Sequence, residues 1–335
     1  MLRLHTPGPN CFQPFHSVYH VCRRLNISKV HSQSSTNSRI IKVTSIVLTV
    51  ILLLYISLSI FGAVAAMDIP RLPLKGSPDS VGLNYKNVAF HSRGDGILLK
   101  GWFIPGTGNT VLVIVHGGFE NRVDYVVDTL DLSHDLVGKG YNILLFDLRG
   151  RGESEGKGRS LSNIDRDIGG AVDYVKSLGY PASRIGIVGF CSGAASTVIF
   201  ASRENVGALV LDGCFASVQI MVDRQAAERK IPQFLLDFFW PGVLQAGKTF
   251  YGFKLVNPID VIDNVKCPIL FIHEEYDDLV SLGDSYHLLK TSGNPANELW
   301  QITGAKHSEG YTANPTEYVD KINTFFNTIM ENASR

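Results

Sequence analysis

Two kinds of apolar run organise the chain. One is long and unbroken: residues 40–67 centre on Ile46-Val47-Leu48-Thr49-Val50-Ile51-Leu52-Leu53-Leu54, with no charge between Lys42 and Asp68. That length predicts a helix able to cross a bilayer, which takes about 20 apolar residues. The others are short, rich in β-branched residues and bounded by turn residues, the pattern of strands buried on both faces. They lie at 111–115, 142–146, 184–188, 207–211, 268–272 and 298–302. Segments 121–137 and 163–178 predict helices between strands, and 315–330 a closing helix marked by Pro315 in its first turn. Upstream, 88–92 and 97–104 around Gly94-Asp95-Gly96 predict an antiparallel hairpin. Strands alternating with helices give an α/β fold, a mostly parallel central sheet with helices on both faces. Such sheets carry their chemistry outside the carboxyl ends of the strands.

The domain layout follows. Residues 1–39 are polar and aperiodic and read as a disordered basic leader, 40–67 as a transmembrane anchor or signal sequence, and 68–82, rich in Pro and Gly, as a linker. Residues 83–335 suit one large α/β domain. The stretch at about 215–257 is too long for an ordinary connection and reads as a lid.

Charge sharpens the division. The chain has 335 residues with 31 bases and 31 acids, but six of the bases and none of the acids precede Asp68. A basic leader therefore precedes a mildly acidic domain. The excess of positive charge before the apolar run places the amino end in the cytoplasm and the large domain outside. Ala63-Val64-Ala65 resembles a cleavage site, but the apolar core exceeds the roughly 7–15 residues of a signal peptide, which favours a retained anchor. An acid-free leader also fits an organelle transit sequence. No basic, aromatic-interleaved face points to nucleic acid. Five irregularly spaced cysteines, Cys11, Cys22, Cys191, Cys214 and Cys267, make neither a disulfide framework nor a zinc site. No clustered ligand set calls for a metal, and no cofactor is expected.

The chemistry concentrates at Arg184-Ile185-Gly186-Ile187-Val188-Gly189-Phe190-Cys191-Ser192-Gly193. Gly189 and Gly193 flank Cys191 at minus two and plus two, the spacing of a nucleophile elbow, in which a tight strand-to-helix turn needs neighbours without Cβ atoms. The amino end of the next helix favours a thiolate and a developing oxyanion there. The competing reading is a cysteine that acts as a small buried hydrophobe. Ser192 as nucleophile would place Phe190 and Ala194 at the glycine positions, where phenylalanine cannot serve. The Ser192 N–H, directly after the nucleophile, is the expected oxyanion donor.

With these residues the chain resembles the α/β-hydrolase family across nearly all of residues 80–333. His116-Gly117-Gly118 is similar to the family's oxyanion loop, which implies the Gly118 N–H as second donor. Asp147-Leu148-Arg149-Gly150-Arg151-Gly152-Glu153-Ser154 resembles a loop of membrane-associated and serine-aminopeptidase-like members. His273-Glu274-Glu275-Tyr276-Asp277-Asp278-Leu279-Val280 resembles the acid loop, with Glu274 in place of the usual glycine, and Gly304-Ala305-Lys306-His307 the histidine loop. A thiol at an elbow needs a base, and the base a third group to orient it; the order Cys191, Asp277, His307 is that of this fold. Asp278 competes with Asp277, which the spacing to Val280 prefers. Cysteine at the elbow resembles dienelactone hydrolases and some acyl-CoA thioesterases or acyltransferases.

The expected activity is cleavage of an ester-type carbonyl bond, in a carboxylic ester, lactone or thioester, through an acyl-cysteine. Acyl transfer, peptidase action and a non-catalytic binding role on the same fold are the alternatives. Phe119, beside the oxyanion loop, and Phe234, Phe238 and Trp240 of the lid are candidate contacts for an apolar acyl group, with core packing as the competing reading of the lid aromatics. The expected partners are a small-molecule ester or thioester and a membrane held by the amino-terminal helix.

Overall fold

The computed structural model describes residues 17–157 and 161–332. The chain divides into two units, Met1–Ser57 and Leu58–Arg335. The described part of the first is helical throughout and belongs to helix α1 (Ser17–Met67). Residues 17–39 are thus helical rather than aperiodic. No Gly or Pro occurs between Ser17 and Phe61, so nothing stops a helix nucleated in the apolar run from propagating back. The remainder of the expected leader, 1–16, lies outside the described residues. Within α1, Thr36–Met67 is long and apolar enough to cross a membrane.

The second unit begins with the last turns of α1. The hairpin β1 (Lys86–His91) and β2 (Leu98–Ile104) follows, with Phe90 opposite Leu99. The alternation then runs β3 (Val111–Val115), α2 (Thr129–Gly138), β4 (Asn142–Phe146), α3 (Leu161–Ser177), β5 (Ile185–Phe190), α4 (Ser192–Ala201) and β6 (Ala208–Asp212). The long β6–β7 connection holds α5 (Val218–Glu228) and α6 (Gln233–Tyr251). Then come β7 (Ile269–Glu274), α7 (Leu282–Ser292), β8 (Glu298–Ile302), α8 (Gly310–Ala313) and α9 (Pro315–Asn332). One eight-stranded sheet has the order β1-β2-β4-β3-β5-β6-β7-β8. Strand β2 runs antiparallel to both neighbours and all later pairs are parallel. This is the α/β-hydrolase fold.

Every residue of β3, β4, β5 and β6 is buried, because both faces are covered. On one face Val111, Val113 and Val115 pack with Ile164, Ile168, Ala171, Val172 and Val175, the helical-period stripe of α3, and with α4. On the other, Leu112 and Ile114 meet Leu132 and Leu136 of α2 and Ile322, Phe325 and Phe326 of α9.

The helix expected over 121–137 starts only at Thr129. Polar side chains hold the preceding turns instead: Asn121 Oδ1 accepts from Val123 N–H (2.8 Å) and Asp124 Oδ1 from Val126 N–H (3.0 Å). Such local bonds compete with helix formation. The chain leaves β3 towards β4 on one side and later returns to β5 on the other, so the direction of winding reverses between β3 and β5. Crevices form outside the strand ends at such points. The pairing of Val115 with Gly189 sets the loops after β3 and β5 side by side there.

Candidate active site

The site is built on the turn from β5 into α4. Cys191 occupies it at φ 52° and ψ −117°, a sparsely populated conformation that persists only where the surroundings enforce it. They do so through Cys191 N–H donating to Asp212 O (2.9 Å) and Ala195 N–H donating to Cys191 O (3.1 Å). The flanking glycines are sterically required. A Cβ on Gly189 would lie 2.8 Å from Ala194 Cα, and one on Gly193 would lie 2.5 Å from the carbonyl oxygens of both Val115 and His116. The turn presents Cys191, which is half-buried, whereas the Ser192 side chain is buried and its Oγ makes no hydrogen bond.

The loop after β7 supplies Asp277 and the loop after β8 supplies His307. Asp277 has no exposed side-chain surface. Its Oδ1 accepts from Leu279 N–H (2.9 Å) and Val280 N–H (2.7 Å), while Oδ2 lies 2.7 Å from His307 Nδ1. The carboxylate therefore accepts a hydrogen bond from Nδ1–H and leaves Nε2 facing away from it. Asp278 is exposed. Nε2 is buried without a hydrogen bond of normal geometry. Burial pulls the imidazole down, but the neighbouring Cys191 and the Asp277 carboxylate outweigh it, and the ring is pushed up to about 11. Gly213 backs the ring: a Cβ there would lie 2.7 Å from His307 Cε1.

The loop after β3 lies against Cys191, since a Cβ on Gly117 would fall 3.7 Å from Cys191 Cβ. His116, fully buried and held neutral by that burial at about 3, accepts at Nε2 from Leu148 N–H (3.1 Å) and so donates from Nδ1 to Gly117 O (2.7 Å). Because the peptide is planar and trans, tying Gly117 O to His116 turns the Gly118 N–H away from that ring. Arg151, also buried, donates from Nε (3.0 Å) and Nη2 (2.8 Å) to Gly118 O. Arg149 and Asp147 brace the same region from outside the site. Arg149 donates to Asp167 and Asp95, and Asp147 accepts from the Arg122 and Glu153 N–H groups.

Cys191, His307, Gly118, Ser192 and Phe119 line one cavity of about 140 Å³. Trp240 lines a second, of about 80 Å³, which shares Ser192, Phe215 and Met221 with the first. Phe234 and Phe238 line neither and are 68% and 60% exposed. The outer turns of α6 leave them on the surface, so the structure does not bring these two to the cavity. Among the described residues no group of three or more His, Cys, Asp or Glu could hold a metal.

Sequence reasoning missed a buried acid pair. Asp212, at the end of β6, and Glu274, at the end of β7, are both fully buried, and Tyr318 of α9 donates to Asp212 Oδ2 (2.6 Å). Burial and the neighbouring Asp212 carboxyl push Glu274 up to about 10, so it keeps its proton. The available signal was Glu274 itself, an acid at a strand end where the resembling loops have glycine. Arg151 had no signal of its own, because its partner is a main-chain oxygen.

Residues 112–320 match the model of the Alpha/beta hydrolase family. An uncharacterized protein of Bacillus subtilis, YqkD, is 28% identical over 244 residues, covering 70% of this chain and 76% of that one. The alpha/beta hydrolase domain-containing protein aho-3 of Caenorhabditis elegans is 28% identical over 188 residues, 55% of this chain and 50% of its own. Among solved structures, the Pyrococcus furiosus esterase Pf2001 superposes with a TM-score of 0.67 at 24% identity, over 79% of this chain and 98% of that one. The esterase RhEst1 from Rhodococcus gives 0.54 at 17%, over 72% and 99%.

Proposed function

Since the chain belongs to the α/β-hydrolase family, we propose that it is an ester hydrolase whose nucleophile is Cys191, with His307 as base and Asp277 as the group that orients it. The observation that carries this reading is the His307–Asp277 contact of 2.7 Å, with His307 lining one cavity together with a cysteine held at a strained elbow.

In the proposed reaction the Cys191 thiolate attacks the carbonyl carbon while its proton resides on His307 Nε2. The carbonyl oxygen takes the negative charge and receives the N–H groups of Gly118 and Ser192. Collapse breaks the bond to the alcohol or thiol, which leaves with the Nε2 proton, and an acyl-cysteine thioester remains. Water then attacks that thioester, gives a proton to Nε2, and the acid departs as Cys191 returns to thiolate. Apart from His307, the charged side chains lining the cavity are Glu120 and Asp124, so an anionic acyl group is disfavoured and a neutral one suits it. Carboxylic esters, lactones and thioesters all fit this chemistry.

We further propose that α1 is a retained anchor. Support comes from its apolar length and from Ser59 and Ala63, buried within the hydrolase unit at 3% and 0% exposure. An exposed signal segment has no need of either contact.

The decisive experiment is turnover of a panel of activated esters and thioesters by the full-length protein, with His307→Ala and Cys191→Ala as controls. Release of free acid that both substitutions abolish is the expected result. Release unaffected by either would end the proposal, and acyl groups recovered on an added amine or thiol instead of water would make it an acyltransferase.

A further inference from the structure

The second cavity has a wall that a soluble hydrolase would lack. Leu58–Met67, the last turns of α1, belong to the hydrolase unit and pack on α6. A Cβ on Gly62 would meet Val243 Cγ2 at 3.0 Å, and one on Gly247 would meet Met67 Cε at 3.6 Å. Ala66 and Met67 line the cavity from this side, and Val243 and Leu244 of α6 from the other. Apart from Ser192, every lining residue is apolar or aromatic. Ser192 is also the residue whose N–H faces the reacting carbonyl in the mechanism above, and it lines both cavities. The cavity therefore begins one residue from Cys191 and ends against the apolar helix.

We propose that this hollow is the acyl-chain site, so that the substrate is an ester or thioester of a short, unbranched apolar acid whose tail lies between α6 and the end of the anchor helix. A short alkyl chain fits because the cavity of about 80 Å³ is apolar and offers no charged partner to a polar group, which would be costly to bury there. The inference rests on the reading of Cys191 as nucleophile and adds what that reading leaves open, the class of acyl group. It also separates two sets of aromatic residues. Trp240 faces the chain, whereas Phe234 and Phe238 point away from it.

The test uses full-length protein reconstituted in phosphatidylcholine vesicles and follows alkylation of Cys191 by N-methylmaleimide and N-butylmaleimide, read by mass spectrometry of the Cys191 peptide. The wild-type ratio of butyl to methyl rates is compared with that in Met67→Trp, which plugs the cavity from the α1 side, and Leu244→Trp, which plugs it from α6. The ratio is expected to fall roughly tenfold in each, the scale on which apolar pockets discriminate by a few methylenes. Circular dichroism and the methyl rate identify any variant that fails to fold, and Val222→Phe then replaces it. An unchanged ratio in folded Met67→Trp overturns the proposal. Loss of the ratio in both folded variants supports the site. Labelling needs no turnover, so chain-length dependence without ester hydrolysis would refute the hydrolase reading and keep the acyl site, and hydrolysis with an unmoved ratio would do the reverse.

Discussion

At φ 52° Cys191 occupies a backbone conformation that costs on the order of 1–3 kcal/mol, and the adjacent Ser192 Oγ is buried with no hydrogen bond. These facts make opposite predictions for the two residues. Cys191→Ala should lower kcat/KM by roughly 10³-fold or more, leaving what the oxyanion donors and binding supply. Cys191→Ser should keep a fraction, because His307 can also activate a hydroxyl. Ser192→Ala should leave rate within about threefold and hold or raise Tm, since it removes an unsatisfied buried hydroxyl. Iodoacetamide should label half-buried Cys191 ahead of buried Cys214 and Cys267, whose thiols burial pushes up. A dead Ser192→Ala beside an active Cys191→Ala would overturn the elbow register. The pH profile tests His307. Its folded value is raised above the ordinary 6.5 towards about 11, so the proton that must reach the leaving group is retained as pH rises through neutrality and lost only as pH passes the raised value. The alkaline limb of kcat/KM should therefore lie well above 6.5. Asp277→Asn removes the carboxylate at Nδ1 and should move that limb down while lowering kcat by roughly 10²–10⁴-fold.

Between elements, the decisive contact is Arg151 with the Gly118 carbonyl. The loop after β4 in this way fixes the loop after β3, and His116 fixes the preceding peptide. Arg151→Met removes both donors and frees that loop from Cys191. We expect kcat to fall roughly 10–10²-fold with KM moved much less, because misdirected oxyanion donors weaken the transition state rather than the ground state. A loss confined to Tm, with kcat unchanged in the folded fraction, would reduce Arg151 to a structural role. The lid is the element at which sequence and structure part. Helical spacing in 234–240 showed an apolar stripe, but which side α6 lays on the domain depends on the turn from α5 and on the end of α1. The outcome is Trp240 inside and Phe234 and Phe238 outside.

For the whole molecule, the basic leader before the apolar run and the acidic domain after it set the expected orientation. Protease added to intact cells or right-side-out vesicles should degrade the hydrolase domain, while carbonate washing leaves the full-length protein in the membrane. Protection until permeabilisation would reverse the topology. A soluble mature chain starting near Ala66 would replace the anchor by a signal peptide and remove the wall that Ala66 and Met67 give the second cavity.

The sequence by itself determined the fold and the order of its loops. The reason is local: strands buried on both faces read as apolar runs, and the elbow requires Gly189 and Gly193 two residues either side of Cys191. Short spacing also placed Asp277 rather than its exposed neighbour Asp278 as the residue to look for, and the structure sets it 2.7 Å from His307. What only the tertiary structure decided are partnerships across large sequence distances. Asp212 of β6, Glu274 of β7 and Tyr318 of α9 form one buried cluster. Arg151 binds a carbonyl rather than a side chain. Met67 of the apolar helix shares a cavity with Leu244. None of these has a periodicity or a spacing, because each is set by how separate elements pack, and packing is a property of the folded core rather than of any one segment.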